Sequence, residues 1–147
     1  MLKYLSTIFK SRSLIKKNKF QFSKMDHSTY FLAEKDISPV SMYYVTVSKL
    51  EEAEKIANAL LDGKLVACVN IVGKDDNPVT SMYTWEGKRE KSSELLLLMK
   101  SRTALLPEIV ATVKKNHSYT CPEVVCTPIL GGNPDYIKWV MDETKKN

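Results

Sequence analysis

Hydrophobic positions along the chain alternate between two spacings, which predicts strands and helices in turn. Residues 42–47 are a short β-rich run and residues 65–72 are almost continuously apolar, so both predict strands. Between them, apolar residues recur at helical spacing and predict a helix. That helix is predicted from Leu50, Ala53, Ile56, Ala57, Leu60 and Leu61. Ser48, followed three residues later by Glu51, predicts a capping box at its start.

The second half of the pattern predicts a hairpin, two further helices and a last strand. Residues 79–85 alternate and residues 95–99 are apolar, which predicts a long hairpin with a polar tip and a turn near residues 91–93. A helix is predicted over about residues 105–116 and a strand from Val124. Asn133 and Pro134 are typical of a helix start and predict a C-terminal helix. The predicted order is β-α-β-β-α-β-α.

This order predicts an α+β fold of the ferredoxin-like type with an extra C-terminal helix. Two right-handed β-α-β crossovers joined by a hairpin give an antiparallel sheet with both helices on one face. The other face would then be bare, and Ser81, Tyr83 and Trp85 make the alternating hairpin strand uncharged on one side. We therefore expect subunit association to cover it.

Charge divides the chain into a basic leader and a nearly neutral body. Seven of the 22 Lys and Arg lie in residues 1–24 with no acid, which leaves 15 basic against 17 acidic residues beyond. That body lacks the positive charge of a nucleic-acid-binding surface. The leader is typical either of a mitochondrial transit peptide or of a disordered basic tail, and in the second case we expect a cytoplasmic protein.

Domain boundaries and compartment follow from the same features. We assign residues 1–41 to the leader and a linker, and residues 42–147 to one domain, so that deletion of 1–41 should leave the melting temperature unchanged. The apolar runs are far shorter than the roughly 20 residues of a membrane span, so no membrane insertion is predicted. Three cysteines without a C-x-x-C pair indicate reduced thiols rather than a disulfide framework.

Candidate chemistry concentrates between the second helix and the last strand. His117 stands beside Tyr119 and Cys121, and is either a metal ligand or a residue that caps the helix end. Glu94 and Lys100 are either partners of His117 in proton transfer or a solvated pair. Cys68 is either a small buried hydrophobe or a soft metal ligand. No nucleophile motif or phosphate loop is present, so we expect no enzyme.

Five spaced motifs between residues 43 and 145 resemble the CutA divalent-cation tolerance proteins. They are Leu65-Val66-Ala67-Cys68-Val69-Asn70, Ser81-x-Tyr83-x-Trp85-Glu86-Gly87-Lys88, Glu94 with Lys100, His117-x-Tyr119-x-x-Pro122-Glu123 and Tyr136-x-x-Trp139. The resemblance implies a ferredoxin-like homotrimer with clefts at subunit boundaries. It places a ligand near Trp85, Glu94, Lys100 and Tyr119, and it implies binding of copper or other divalent metal ions.

The chain departs from the copper-binding bacterial members of that family at two positions. Val45 stands where they carry a Cys, and Asn116 stands where they carry a further His. His117 remains, and we expect Cys68 and Cys121 as the other metal donors. The expected function is a homotrimeric protein of the metal-ion response. The alternative is a small-molecule sensor like the nitrogen-regulatory PII proteins, whose trimeric architecture is similar.

Overall fold

The computed structural model describes residues 38–145, so the predictions made for residues 1–37 lie outside the described part. Eight helices and strands follow one another along this part. They are β1 (Val40–Val47), α1 (Leu50–Asp62), β2 (Cys68–Val72), β3 (Val79–Trp85), β4 (Lys88–Arg102), α2 (Leu106–Asn116), β5 (Val125–Pro128) and α3 (Pro134–Glu143). A 3-10 turn, Thr103–Leu105, leads into α2.

The strands form one antiparallel sheet in the order β2-β4-β1-β5, with β3 also paired to β4. Strand β2 pairs with Leu96–Lys100 of β4, and β3 pairs with Lys88–Glu94. The two strands therefore lie one after the other along β4 and share one place in the sheet order. The ferredoxin-like prediction is confirmed, with the long strand opposite β4 divided into two by the loop at residues 73–78.

Helices α1 and α2 cover one face of the sheet and enclose the core. Alternate residues of β1 and β4 point into it, and one stripe of each helix packs on them. The buried members include Tyr43, Val45, Val47, Ala53, Ile56, Leu60, Leu95, Leu97, Met99, Leu106, Ile109 and Val113. The Tyr43 hydroxyl donates to the carbonyl oxygen of Arg102 at 2.8 Å, so its one polar group is satisfied inside the core.

The hairpin turn lies at Glu86 and Gly87, and the predicted turn at residues 91–93 is wrong. Both residues of the turn have left-handed backbone angles, with φ of 49° and 79°. Trp85 pairs with Lys88, so the loop has two residues, and this tight geometry matches the twist of the flanking strands. The serines belong to β4, which runs without interruption from Lys88 to Arg102.

Strand β2 lies at the edge of the sheet, whereas the apolar run at residues 65–72 predicts a central strand. Leu65 and Val66 are buried, but they precede the strand, which begins at Cys68. The apolar run at residues 65–72 thus covers two different environments. Its first part packs into the core beneath the helices, and its second part forms a half-exposed edge.

The second face of the sheet is covered at one end. There α3 crosses it, with the Arg102 guanidinium donating to the carbonyl oxygen of Met141 at 2.5 Å and the Lys145 N–H donating to the carbonyl oxygen of Lys64 at 3.0 Å. We call this the closed end, and the end at the β3–β4 hairpin the open end. The predicted start of α3 is confirmed, since the Asn133 side chain accepts from the N–H of Asp135.

Candidate functional site

A cleft of about 610 Å³ lies at the open end, between the hairpin and the segment that joins α2 to β5. Strand β3 contributes Tyr83 and Trp85, and β4 contributes Glu90 and Glu94. The remaining wall is formed by Thr46, Ser81, Met82, Tyr119, Thr120, Cys121 and Glu123. Alternation along the hairpin explains the arrangement, since Tyr83 pairs with Glu90 and both side chains face the same side of the sheet.

Tyr119 and Glu94 form a hydrogen-bonded pair inside the cleft. The Tyr119 hydroxyl donates to the Glu94 carboxylate, and Glu94 is only 4% exposed. Burial, together with the negative charge of Glu94, raises the pKa of Tyr119 to about 12. Tyr119 therefore remains a neutral donor throughout the physiological pH range.

His117 fixes the position of Tyr119 through a hydrogen bond to its backbone. It ends α2 as its C-cap, its side chain is fully buried, and its Nε2 lies 2.7 Å from the carbonyl oxygen of Thr46. Nδ1 accepts from the backbone N–H of Tyr119 at 3.0 Å, so Nε2 carries the proton and donates to Thr46. Both ring nitrogens of His117 thus have backbone partners.

Glu52 on α1 fixes the turn at His117–Tyr119 through the residue between them, Ser118. Its carboxylate accepts from the N–H and hydroxyl of Ser48, and from the N–H of Ser118. Burial raises the pKa of Glu52, but these hydrogen bonds and the nearby His117 outweigh it and leave the pKa lowered. The predicted capping box is wrong in its partner, because Glu52 rather than Glu51 reaches back to Ser48.

A second group of polar side chains, the Lys100 cluster, lies at the closed end. It consists of Cys68, Asn70, Lys100 and Tyr136. The Lys100 ammonium donates to the Asn70 side chain and lies 3.9 Å from the Cys68 sulfur. Tyr136 shares a hydrogen bond with Cys68, and burial followed by that thiol raises the pKa of Tyr136.

The structure brings some of the predicted site residues together and keeps others apart. Trp85, Glu94, Tyr119 and Cys121 line the cleft. Lys100 follows Glu94 by six residues on β4, which places it about 20 Å away. Cys68 pairs with Lys100, whereas Thr46, which accepts from His117, pairs with Leu96. The two strand positions are therefore about 13 Å apart along β4, and they lie on opposite sides of it.

Three predicted metal donors, His117, Cys68 and Cys121, therefore do not meet within one chain. Among residues 38–145, no group of three or more His, Cys, Asp or Glu side chains is placed to hold a metal ion. The metal-binding roles of these residues stay a prediction. The sequence analysis gave no site role to Glu52, Tyr83, Glu90 or Tyr136. Tyr83 and Tyr136 had a signal, because each stands in one of the family motifs, whereas Glu52 and Glu90 had none.

Comparison with known proteins identifies the family. The family model described as "CutA1 divalent ion tolerance protein" matches residues 41–143 of this chain. The chain belongs to the CutA1 family. Arabidopsis thaliana "Protein CutA, chloroplastic" is 42% identical over 107 residues, which are 73% of this chain and 57% of that protein. The Thermus thermophilus divalent-cation tolerance protein CutA is 43% identical over 100 residues, 68% of this chain and 93% of the relative.

Solved CutA1 structures share the fold. The crystal structure of CutA1 from Oryza sativa superposes with a TM-score of 0.70 at 40% identity, covering 76% of this chain and 98% of that one. The match to the Arabidopsis relative extends over little more than half of that protein's length. The resemblance noted in the sequence is thus confirmed at the level of family and fold. None of the helices within residues 38–145 is long and apolar enough to span a bilayer.

Proposed function

We propose that this protein is a homotrimeric divalent-cation tolerance protein that binds copper or other divalent metal ions in the response to metal ions. Membership of the CutA1 divalent ion tolerance family supports the metal part of the proposal. The uncovered sheet face is the observation that carries the trimeric part. In one chain it leaves Leu96 and Leu98 half-buried, and Val72 and Val125 exposed by 42% and 50%.

Association through this face would remove that apolar surface from water. Light scattering should therefore give a mass of three chains, whereas a 16.7 kDa species at micromolar concentration would refute the trimer. Leu98→Asp should dissociate the assembly, because it places a charge in the centre of the face. Glu54→Lys is the matched control, since Glu54 lies exposed on α1, on the opposite side of the sheet.

Copper binding needs donors from more than one chain, because the candidate donors of one chain lie apart. Threefold symmetry supplies a route by which Cys121 or Cys68 groups of different subunits approach one another, whereas His117 would have to exchange one of its two backbone hydrogen bonds for the metal ion. His117→Ala should then weaken copper binding by at least about tenfold, and lowering the pH should do the same as protons compete. Equilibrium copper titrations and melting curves of both proteins test this. Lost stability with unchanged copper affinity would assign His117 a structural role.

The second candidate function is that of a small-molecule sensor resembling the PII proteins. It is favoured by the cleft at the open end, whose volume is within the range of small-molecule sites. A thermal-shift screen with metal ions and nucleotides separates the two candidates. Both are binding functions, and turnover of a generic substrate would instead favour an enzyme.

We also propose that the basic leader, residues 1–24, acts as a targeting segment. The basic, acid-free composition of residues 1–24 is typical of mitochondrial import, and the Arabidopsis relative carries the word chloroplastic in its name. A fluorescent fusion with and without residues 1–37 tests this. Organelle staining that disappears on deletion supports import, and cytoplasmic staining of both fusions contradicts it.

A further inference from the structure

We propose that Asp75 is a positioning residue, which caps α1 from the edge of the sheet and thereby holds the turn at His117–Tyr119 in place. This role goes beyond both candidate functions, because it concerns how the site residues are held and not what they bind. The contacts that carry it all join residues of one chain, and none of them involves the sheet face that we assign to subunit association.

Helix α1 begins without a side-chain cap of its own. Its N-cap residue is Lys49, which makes no capping hydrogen bond. An ammonium group cannot accept a hydrogen bond, and its positive charge is unfavourable at the positive end of the helix dipole. An acceptor for the first amide of the helix, that of Leu50, therefore has to come from elsewhere.

Asp75 supplies that acceptor from 25 positions further along the chain. The Leu50 N–H donates to Asp75 Oδ1 at 3.0 Å. A carboxylate at this place also faces the positive end of the dipole, so charge and hydrogen bonding both favour the contact. Asp75 thus acts as the cap of α1, although it belongs to the loop between β2 and β3.

The loop at residues 73–78 is shaped to present Asp75. Lys74 and Asn77 exchange two backbone hydrogen bonds, of 3.1 and 3.0 Å, which close a two-residue turn at Asp75 and Asp76. Gly73 has a left-handed φ of 94°, an angle that residues with a Cβ rarely adopt, and it directs the chain out of β2. The position of Asp75 is therefore set by backbone contacts within the loop.

Glu52 connects the first turn of α1 to the candidate site. It lies in that turn, and its carboxylate accepts from the Ser118 N–H. Its Oε1 atom lies 3.6 Å from Nδ1 of the buried His117, and its own side chain is only 12% exposed. The same turn of helix is therefore bonded to Asp75 at its start and to the site through Glu52.

Loss of the Asp75 cap should for this reason have an effect at the site. A helix without its cap frays from the first turn, and removal of an N-cap shifts that local equilibrium about fivefold to tenfold towards the open form. Fraying displaces Glu52, which then no longer accepts from Ser118. Amide hydrogen exchange is a suitable readout, because it reports the opening of single backbone hydrogen bonds.

Hydrogen exchange of the intact full-length assembly, measured by NMR for single amides, tests the proposal. Asp75→Ala should raise the exchange rates of the Ser118 and Tyr119 amides about fivefold to tenfold, together with that of Leu50. Asp75→Asn retains an acceptor oxygen and should keep these rates within about threefold of wild type. Asp76→Ala removes the same charge from the next residue of the turn, and as the matched control it should change the rates by less than about twofold.

Two results would overturn the proposal. Faster exchange of Leu50 alone would make Asp75 a cap of α1 without a role at the site. Equal effects of Asp75→Ala and Asp76→Ala would assign the change to the charge of the loop. If Asp75→Ala does not fold, Asp75→Ser takes its place, because serine suits a turn but has a shorter side chain, and the expected increase is about threefold. Unchanged exchange of Ser118 and Tyr119 in that variant would overturn the proposal equally.

A double-variant comparison tests the route through Glu52. In a Glu52→Ala background the Ser118 amide has already lost its acceptor, so the addition of Asp75→Ala should change its exchange by less than about twofold. The Leu50 amide should still exchange about fivefold to tenfold faster, because its own acceptor is removed. An undiminished effect of Asp75→Ala on Ser118 in that background would overturn the route. These measurements need no ligand, so their outcome is independent of the copper and small-molecule tests.

Discussion

The two ends of the second sheet face contrast, although both are built on the single strand β4. At the closed end, Lys100 has partners within the chain, Asn70 and Cys68, and α3 crosses the sheet there. At the open end, Glu94 accepts from the neutral Tyr119 hydroxyl, and the aromatic side chains around it are exposed in one chain. The contrast indicates that the closed end stabilises the fold of one chain, whereas the open end leaves surface that a neighbouring subunit or a ligand can cover.

Truncation at the closed end should have the largest effect on stability. Deletion of residues 1–41 removes Val40 and Ser41 of β1, which are 2% and 1% exposed, and with them the 2.7 Å hydrogen bond between the hydroxyls of Ser41 and Thr103. We expect the free energy of unfolding to fall by about 3 kcal/mol or more, from lost valine burial and the lost hydrogen bond. Urea unfolding measures it.

Deletion of residues 1–37 is the control for that truncation. It retains Ser38, whose hydroxyl donates to the carbonyl oxygen of Ile129 at 2.7 Å, and should leave stability unchanged. The sequence alone predicts no loss for either deletion, because it starts the strand at Met42. Equal stability of the two truncated proteins would show that the first residues of β1 contribute little.

The same chemical change in the core and at the open end should have different effects. Tyr43→Phe removes a buried hydroxyl that donates to the carbonyl oxygen of Arg102, and should cost about 1–3 kcal/mol. Tyr83→Phe removes an exposed hydroxyl and should change stability by less than about 0.5 kcal/mol. Chemical unfolding of both variants tests the comparison. Equal losses would show that burial does not distinguish the two hydroxyls.

Alkaline pH adds a second readout for Tyr43. Burial, with a smaller contribution from Cys126, raises its pKa well above the usual value of 10.0. A raised pKa in the folded state means that the stabilisation is fully present below the unfolded pKa and is lost as pH rises above it. Wild type should therefore lose stability above about pH 10 more steeply than Tyr43→Phe. Parallel pH profiles would contradict the assignment.

Secondary structure could be predicted from the sequence where a pattern is local. Helix α3 was predicted from Asn133 and Pro134 because a cap and a first-turn proline act within a few residues. The turn at Glu86–Gly87 was missed because the charged residues around it looked equally like a loop. The edge position of β2 was missed because an apolar run does not show whether burial comes from a neighbouring strand or from a helix.

Glu52→Gln should weaken the turn that carries Tyr119, with an expected loss of about 1–2 kcal/mol at neutral pH. The pKa of Glu52 is lowered on folding, so its stabilisation is present above the unfolded pKa, 4.5, and is lost as pH falls through the lower folded value. The difference between wild type and variant should therefore shrink in acid. Glu51→Gln, exposed on the same helix, is the control. A difference that persists in strong acid would contradict the assignment to charge.

The candidate site was only partly predictable, because its parts are joined by tertiary contacts. Trp85, Glu94 and Tyr119 were found through motifs of the family. Their convergence depends on His117 contacting Thr46, and on Glu52 contacting Ser118, and both contacts join residues more than 60 positions apart. The spacing of residues along the sequence does not show such long-range contacts. Glu94 and Lys100 were therefore predicted as partners, although Glu94 lies at the open end and Lys100 at the closed end.

Lys100→Gln should have the smallest effect, and it tests whether the two ends are independent. Within one chain Lys100 lies about 20 Å from Glu94, so the variant loses only the hydrogen bond to Asn70, and the free energy of unfolding should fall by less than about 1 kcal/mol. If a neighbouring subunit placed its own Lys100 beside Glu94, the variant would leave that buried carboxylate without a counter-ion, and the loss would be about 3–5 kcal/mol. Urea unfolding of the intact assembly measures the loss, with Lys55→Gln on exposed α1 as the control. A loss of the larger size would show that association pairs the open end of one chain with the closed end of another.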